Sequence, residues 1–373
     1  IPPAPQIFHG RELELQEVVE LLKQDSSRVA ILGPGGIGKT SLARKVLHHP
    51  EVLTKYSNRH FIPCNSSLTC TDLISNIASH LGLKNEGATS RSILQHFKCT
   101  GPSLLILDNL ETTWEPMLSR QGVENFLSIL ADIPQLALVI TLRGAQRPEK
   151  IKWTRPFLQP LTPLSNSAAL QMFMDIADAD PDDSQVQSLL NFTGNLPLAV
   201  GLMANVAGYE GCDRALARWE QENIRLLSDG YDQRSSLEIS IMLSYSSPRM
   251  TSGAQELLGI LSMLPDGLSD ADLIHSQLPI ANILSCKATL LQVSLAYMGT
   301  TGNAPRLMSL VPIREYIRDI HPPTPMLKGR LRQYFHQILH IRNPGLAWIA
   351  PDNLVQVKNV FGNCHSLLSE ALS

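Results

Sequence analysis

The sequence carries no CxxC pair, no surplus of basic charge and no unbroken apolar run long enough to cross a bilayer. Each absence removes a class of function. The six cysteines (Cys64, Cys70, Cys99, Cys212, Cys286 and Cys364) stand far apart. That argues against a zinc site or a disulfide framework and suits a reducing compartment, so the cytoplasm is the expected location. Lys and Arg number 31 against 34 Asp and Glu, a formal net charge of −3. A dedicated nucleic-acid binder shows a basic excess or a concentrated basic stripe; neither is present, and no nucleic-acid partner is expected. The stretch from Ser184 to Tyr209 has no charged side chain, but a bilayer span needs about 20 mostly apolar residues in unbroken helix. Here Ser, Gln, Asn and Thr intrude and Gly194-Asn195-Leu196-Pro197 breaks the run, so it reads as helix–turn–helix. No charged start followed by an apolar run marks a signal peptide. The proline-rich opening Ile1-Pro2-Pro3-Ala4-Pro5 reads as the start of a segment cut from a longer chain.

What is present is a folded composition: 373 residues, 43% apolar and 17% charged, enough for about two or three domains. The first half alternates β-rich runs with helical patterns, the signature of a parallel sheet with crossover helices. Arg28 to Leu32 reads as a buried strand and Thr40 to His49 as the helix after it. His60 to Pro63 is a second strand, Leu104 to Leu107 a third, Leu136 to Thr141 a fourth, and Phe157 to Leu161 is expected to close the sheet. Thr71 to Leu83 and Glu124 to Leu130 read as helices. Beyond Pro163 the strands give way to helices around 165–177, 186–190, 197–206, 214–227, 237–243, 254–264, 270–275 and 283–293. β signals at Ser294–Met298 and Leu307–Val311 bracket the turn Gly299-Thr300-Thr301-Gly302-Asn303, and helices with one hairpin are the pattern of a winged helix. His321-Pro322-Pro323-Thr324-Pro325 is the clearest linker. Met326 to Ile341 then reads as an amphipathic helix, and Asn353 to Leu372 as helices leading toward a downstream repeat region. The expected fold class is therefore α/β: a P-loop parallel sheet over 1–163, a helical subdomain over 164–236, a winged helix over 237–321 and a helical linker over 322–373.

The densest chemistry lies in Gly33-Pro34-Gly35-Gly36-Ile37-Gly38-Lys39-Thr40, which fits G-x-x-x-x-G-K-[ST] between an expected strand and an expected helix. The glycines let the backbone turn its N–H groups toward a phosphate, where a Cβ would obstruct. The helix that starts beside Thr40 and Ser41 adds the positive end of its dipole. Lys39 supplies a mobile positive charge for the β- and γ-phosphates, and the Thr40 hydroxyl is a ligand for Mg²⁺. The third strand ends in Asp108, the expected second contact to that metal. The position after it, where hydrolytic relatives place an acid, is Asn109, which cannot accept a proton. Glu111 stands two residues further on. Slow hydrolysis is the expectation. Arg143 closes the fourth strand, at the crevice where open α/β sheets bind ligands, and is placed to sense a γ-phosphate.

Taken in order, these residues resemble the NB-ARC branch of the STAND signal-transduction ATPases, the central module of NLR-type receptors. Phe8-His9-Gly10-Arg11-Glu12 is similar to the family's lead-in segment. GPGGIGKTSLA, LLILDNLE and the ITLR strand end follow. Leu161 to Ser165 opens the helical subdomain, and Gly194-Asn195-Leu196-Pro197-Leu198-Ala199 is similar to the G-L-P-L motif. Leu261 to Leu268 resembles the winged helix, most like fungal members. The resemblance covers roughly Ile7 to His321. It implies ATP or ADP as ligand, Pro197 against the adenine, and backbone near Phe8 and Arg11 reading its edge. It also implies a switch in which exchange of ADP for ATP releases the subdomains and lets the chain self-associate, with effector and sensor domains outside this segment. The family's Met-His-Asp histidine has no counterpart: the matching stretch is Leu310-Val311-Pro312, then Ile313-Arg314-Glu315-Tyr316. Arg314 could supply a positive contact or be an exposed helical arginine. Two rivals remain, a turnover-competent hydrolase or kinase and a DNA reader. The second is weakened because Ala281 to Val293 offers only Lys287.

Overall fold

The computed structural model of the chain describes residues 1–83, 89–178, 184–222, 237–301, 304–340 and 360–368. The chain divides into two compact units, one of residues 1–186 with 195–208, the other of 187–194 with 209–373.

In the first unit, helix α1 (Glu12–Lys23) precedes strand β1 (Arg28–Gly33), and α2 (Lys39–Leu47) and α3 (Pro50–Lys55) follow. Then come β2 (Asn58–Pro63), α4 (Cys70–His80), α5 (Ser90–Cys99) and β3 (Ser103–Asp108). The sheet region ends with α6 (Glu111–Trp114), α7 (Met117–Ala131) and β4 (Leu136–Arg143). The four strands are all parallel, in the order β1-β4-β3-β2. β1 and β3 are buried along their whole length, because crossover helices cover both faces and leave no wet side on which to alternate. One helical layer packs Leu73, Ile77, Phe97, Trp114, Leu127 and Leu130 onto Leu32, Leu105, Leu107 and Ile140. Local capping sets the helix starts. Thr69 with Asp72 and Thr89 with Ser92 form reciprocal capping boxes ahead of α4 and α5. α8 (Asn166–Ala177) is capped by Ser165. It is followed by α9 (Ser184–Thr193), which spans the boundary of the two units, and α10 (Pro197–Glu210), which belongs mostly to the first.

Phe157 to Leu161 does not close the sheet. The chain from Thr154 to Leu161 touches β1 at its two ends, through Thr154 N–H on Arg28 O (3.0 Å) and Leu161 N–H on Leu32 O (2.8 Å). Between these bonds Pro156 and Pro160 have no N–H to offer, so no ladder can propagate. β1 remains an edge strand with a partial cover.

The second unit contains α11 (Cys212–Glu222), α12 (Leu237–Tyr245), α13 (Ser252–Ser262), α14 (Asp270–His275) and α15 (Ile283–Gln292). The hairpin β5 (Tyr297–Thr301) and β6 (Ala304–Met308) follows, then α16 (Val311–Ile320) and α17 (Pro325–His340). The antiparallel hairpin gains a third contact where Leu268 bridges Leu307, which gives the winged-helix arrangement expected. Arg306 on the wing pairs with Asp272 of α14 at 2.9 Å, and Tyr334 donates to the same carboxylate at 2.7 Å. A helical stretch at 360–368 docks through Asn363, which exchanges hydrogen bonds with Asp266 and donates to Gly267 O. The expected helix end at 223–227, Gly302 and Asn303 of the turn, and most of 353–372 lie outside the described residues. Among the described residues no helix is long and apolar enough to cross a membrane.

Candidate functional site

β1 runs straight into the glycine loop, and the backbone there takes conformations that only glycine adopts easily. Gly36 has φ +74° and Gly38 has φ +95°, both in the left-handed region where a Cβ costs about 1–2 kcal/mol. Gly36 has a second constraint: a Cβ on it would lie 2.9 Å from the Leu198 β-carbon. Gly38 is the N-cap of α2, so the helix's first turn opens directly from the loop. Four loop carbonyls are held by the protein. Lys39 Nζ donates to Gly33 O (2.9 Å) and Pro34 O (2.7 Å). Leu198 N–H donates to Gly36 O (3.1 Å) and the Arg11 guanidinium to Ile37 O (3.3 Å).

Lys39 is only 6% exposed. Burial pushes its ammonium down to about 8 and Arg143 adds to the effect, while the Glu111 and Asp108 carboxylates oppose it. Asp108, at the end of β3, is 3% exposed. The Thr40 hydroxyl lies 3.0 Å from both its oxygens, and the Thr141 hydroxyl donates to Oδ1 at 2.7 Å. Burial raises the Asp108 carboxyl above its ordinary range, and the two hydroxyl bonds counter that shift. A hydroxyl and a carboxylate on neighbouring elements are the hard oxygen donors that Mg²⁺ prefers. The residues present therefore fit a metal held by Thr40 and Asp108.

Arg143 stands beside Gly33 in the β1–β4 register. Its Nε donates to Glu111 Oε1 at 3.1 Å and its backbone N–H to Glu111 Oε2 at 3.3 Å. Asn109 turns the other way. It has φ +56°, its backbone N–H donates to Thr141 Oγ1 at 2.9 Å, and its amide group donates to Asn65 Oδ1 at 2.9 Å. The left-handed turn at Asn109 sends consecutive polar side chains to opposite sides of Asp108.

The remaining expected contacts fall around the same loop. Pro197 opens α10, its γ-carbon 3.9 Å from where a Cβ on Gly38 would stand. Phe8 lies beside α2 with the Lys45 ammonium 5.4 Å from its ring centre. Arg11 reaches the loop by side chain as well as lying beside it: besides Ile37 O it donates to Thr162 O and pairs with Glu14 at 2.8 Å. Gly35 lies half-buried in the loop, and Ser41 in the first turn of α2. Thr141 and Asn65 are site residues that motif reading passes over. A threonine in a buried strand carries no motif, and only the register places its hydroxyl against Asp108. In the second unit Arg314 is half-buried on α16 rather than exposed. Its Nε has no hydrogen-bond partner and burial holds the group below the ordinary arginine range. Lys287, the one basic side chain expected on a DNA-reading helix, pairs with Asp270 at 2.5 Å.

Comparison with known proteins bears on this geometry. Residues 3–162 match the profile of the family described as Novel STAND NTPase 1. Over 229 residues the chain is 25% identical to an uncharacterised WD repeat-containing protein of Nostoc sp., covering 54% of this chain and 18% of that protein. Over 153 residues it is 24% identical to a probable disease resistance protein of Arabidopsis thaliana, covering 38% and 18%. The chain thus spans less than a fifth of the length of these relatives. A Walker-type ATPase of Pyrococcus abyssi superposes with a TM-score of 0.58 at 13% identity, over 85% of this chain and 99% of that one. The last likeness is one of fold.

Proposed function

We propose that this chain, whose residues 3–162 belong to the STAND class of P-loop NTPases, is the nucleotide-binding module of a signalling switch. Its ligand on this reading is ATP or ADP with Mg²⁺, held by the loop from Gly33 to Thr40 with Lys39 on the phosphates and Thr40 and Asp108 on the metal. The observation that carries the reading is the buried Lys39 ammonium. It sits at a helix mouth, resting on two loop carbonyls, 6% exposed and facing no carboxylate close enough to pair with among the described residues. A buried charge without a salt-bridge partner is expensive, and a polyphosphate tail relieves that cost.

Switching follows from differential contact. A γ-phosphate that engages Lys39 and Arg143 stabilises one arrangement of the chain over another. The disease-resistance relative supports a role in signalling, and the greater length of both relatives supports a place within a longer protein. Self-association in the ATP state, effector and sensor regions outside this segment, and slow turnover belong to the same reading. The domain limits expected from sequence, at 163, 236 and 321, are part of the proposal. So are the contacts of Pro197, Phe8 and Arg11 with the base. Calorimetry with ATP and ADP in magnesium buffer tests it: the native chain should bind, and Lys39→Ala should weaken binding at least tenfold. Failure of the native chain to bind either nucleotide would overturn the switch.

A further inference from the structure

The base that activates water is missing from its usual place, and the geometry shows where a substitute stands. In the strand order β1-β4-β3-β2, the phosphate loop follows β1, Arg143 ends β4 and Asn65 follows β2. Asn109 bonds to Asn65, on the side of β3 away from the phosphate loop, and carries an amide that accepts no proton. Glu111 bonds to Arg143 through both carboxylate oxygens, on the side toward the loop. It is 8% exposed and begins α6. Of the charges around Lys39, that of Glu111 acts on it most strongly, ahead of Asp108.

We infer that Glu111 is the general base for ATP hydrolysis, and that its pairing with Arg143 holds it back until a γ-phosphate competes for the guanidinium. The inference rests on the nucleotide-binding reading above. In the reaction, a water oxygen bonds to the γ-phosphorus while its proton passes to a Glu111 oxygen. The bond from that phosphorus to the β–γ bridging oxygen breaks, its electron pair leaving with ADP. Inorganic phosphate is the second product, and the Glu111 proton is then lost to solvent. Slow turnover has a structural cause in this scheme: the base begins each cycle occupied by two donors.

The test compares native chain, Glu111→Gln and Asn109→Gly, each measured for Mg·ATP affinity by calorimetry and for phosphate release in a single turnover. Glu111→Gln keeps an acceptor for Arg143 and removes a negative charge near the phosphates. It should bind ATP at least as tightly as the native chain, yet release phosphate about 100-fold more slowly or worse. After incubation and gel filtration it should retain ATP where the native chain retains ADP. Asn109→Gly keeps the left-handed turn of φ +56° and removes the amide, so it should hydrolyse within about twofold of native, since no proton transfer is assigned to that side chain. If thermal melting shows Glu111→Gln unfolded, Glu111→Asp replaces it. That variant keeps the charge on Arg143 but withdraws the carboxylate by one methylene, with an expected loss of about 10-fold or more at unchanged ATP affinity. Native rates in a folded Glu111 variant that binds ATP would overturn the assignment. So would a larger loss in Asn109→Gly than in Glu111→Gln, or ATP bound by the native chain with no phosphate released. Absence of ATP binding in the native chain would instead remove the underlying reading.

Discussion

Thr141 offers the sharpest check on how the site is held together. Its hydroxyl is wholly buried and serves two partners at once, donating to Asp108 Oδ1 at 2.7 Å and accepting from Asn109 N–H at 2.9 Å. Thr141→Val keeps the shape and removes both bonds. The stranded Asn109 N–H costs about 1–3 kcal/mol, and the lost bond to an ionised carboxylate about 1.5–3 kcal/mol. Part of this is offset by a better-buried methyl group, worth about 1 kcal/mol. A net loss of about 3 kcal/mol follows. Thr141→Ser is the control, since it keeps the hydroxyl and forfeits one methyl at about 1 kcal/mol. The two variants should therefore differ by about 2 kcal/mol in urea unfolding. Because the Thr141 bond helps hold Asp108 down against burial, its loss also moves the carboxyl further up and weakens metal-dependent nucleotide binding. Amide exchange over residues 104–112 should quicken in the valine variant alone. Equal stability of the valine and serine variants would refute the bonding scheme at Asp108.

The loop itself and the far edge of the sheet give further tests. Gly36→Ala meets a left-handed φ and a 2.9 Å approach to the Leu198 β-carbon, so it should lower ATP affinity at least tenfold in calorimetry. Gly82→Ala has a similar φ with nothing within 4 Å and should lose about 1–2 kcal/mol of stability at most, with affinity unchanged. His60 is pushed down to about 4 by burial and by the neighbouring His80 and His96. The unfolded chain takes up a proton below about 6.5, the folded one only through about 4. Stability is therefore full above the first value and lost as pH falls toward the second. Discounted for the ring's partial contact with solvent, the loss is about 1–2 kcal/mol, and His60→Gln should flatten it when unfolding is compared at pH 7.5 and 5.

Much of the nucleotide-binding unit is legible in the residues because its signals are local. Buried parallel strands read as apolar runs, and the loop's glycines and lysine lie within eight positions. Serine marks the start of α8, whereas α5, capped just as locally by Thr89, is not among the expected helices. The misread came where tertiary context decides. Phe157 to Leu161 has strand-like composition, but the prolines on either side of Leu158 withhold the donors a fifth strand needs. Helix α1, which buries Val18, Val19, Leu21 and Leu22, has no side-chain cap at its start and is not among the expected helices. Thr141, Asn65 and the Glu111–Arg143 pair depend on register and on a left-handed turn at Asn109, and no linear spacing encodes those.

Side chains and amides of the chain itself also shape the phosphate loop. Arg11 anchors Ile37 O, Leu198 N–H anchors Gly36 O, and Lys39 anchors Gly33 O and Pro34 O. Holding these carbonyls with protein donors narrows the conformations open to the loop, which lowers the ordering entropy that opposes binding. The lysine is the exception to this preorganisation. It must exchange two carbonyls for phosphate oxygens, trading neutral acceptors for ionised ones, which form roughly twice as strong a hydrogen bond. Arg143 faces a different exchange, since Glu111, to which it donates, is already charged. On the proposed reading a diphosphate recruits the lysine alone, whereas recruiting the arginine requires a γ-phosphate that outcompetes a carboxylate. On the function proposed above, discrimination between ATP and ADP rests on the strength of the Glu111–Arg143 pair rather than on the grip of the loop.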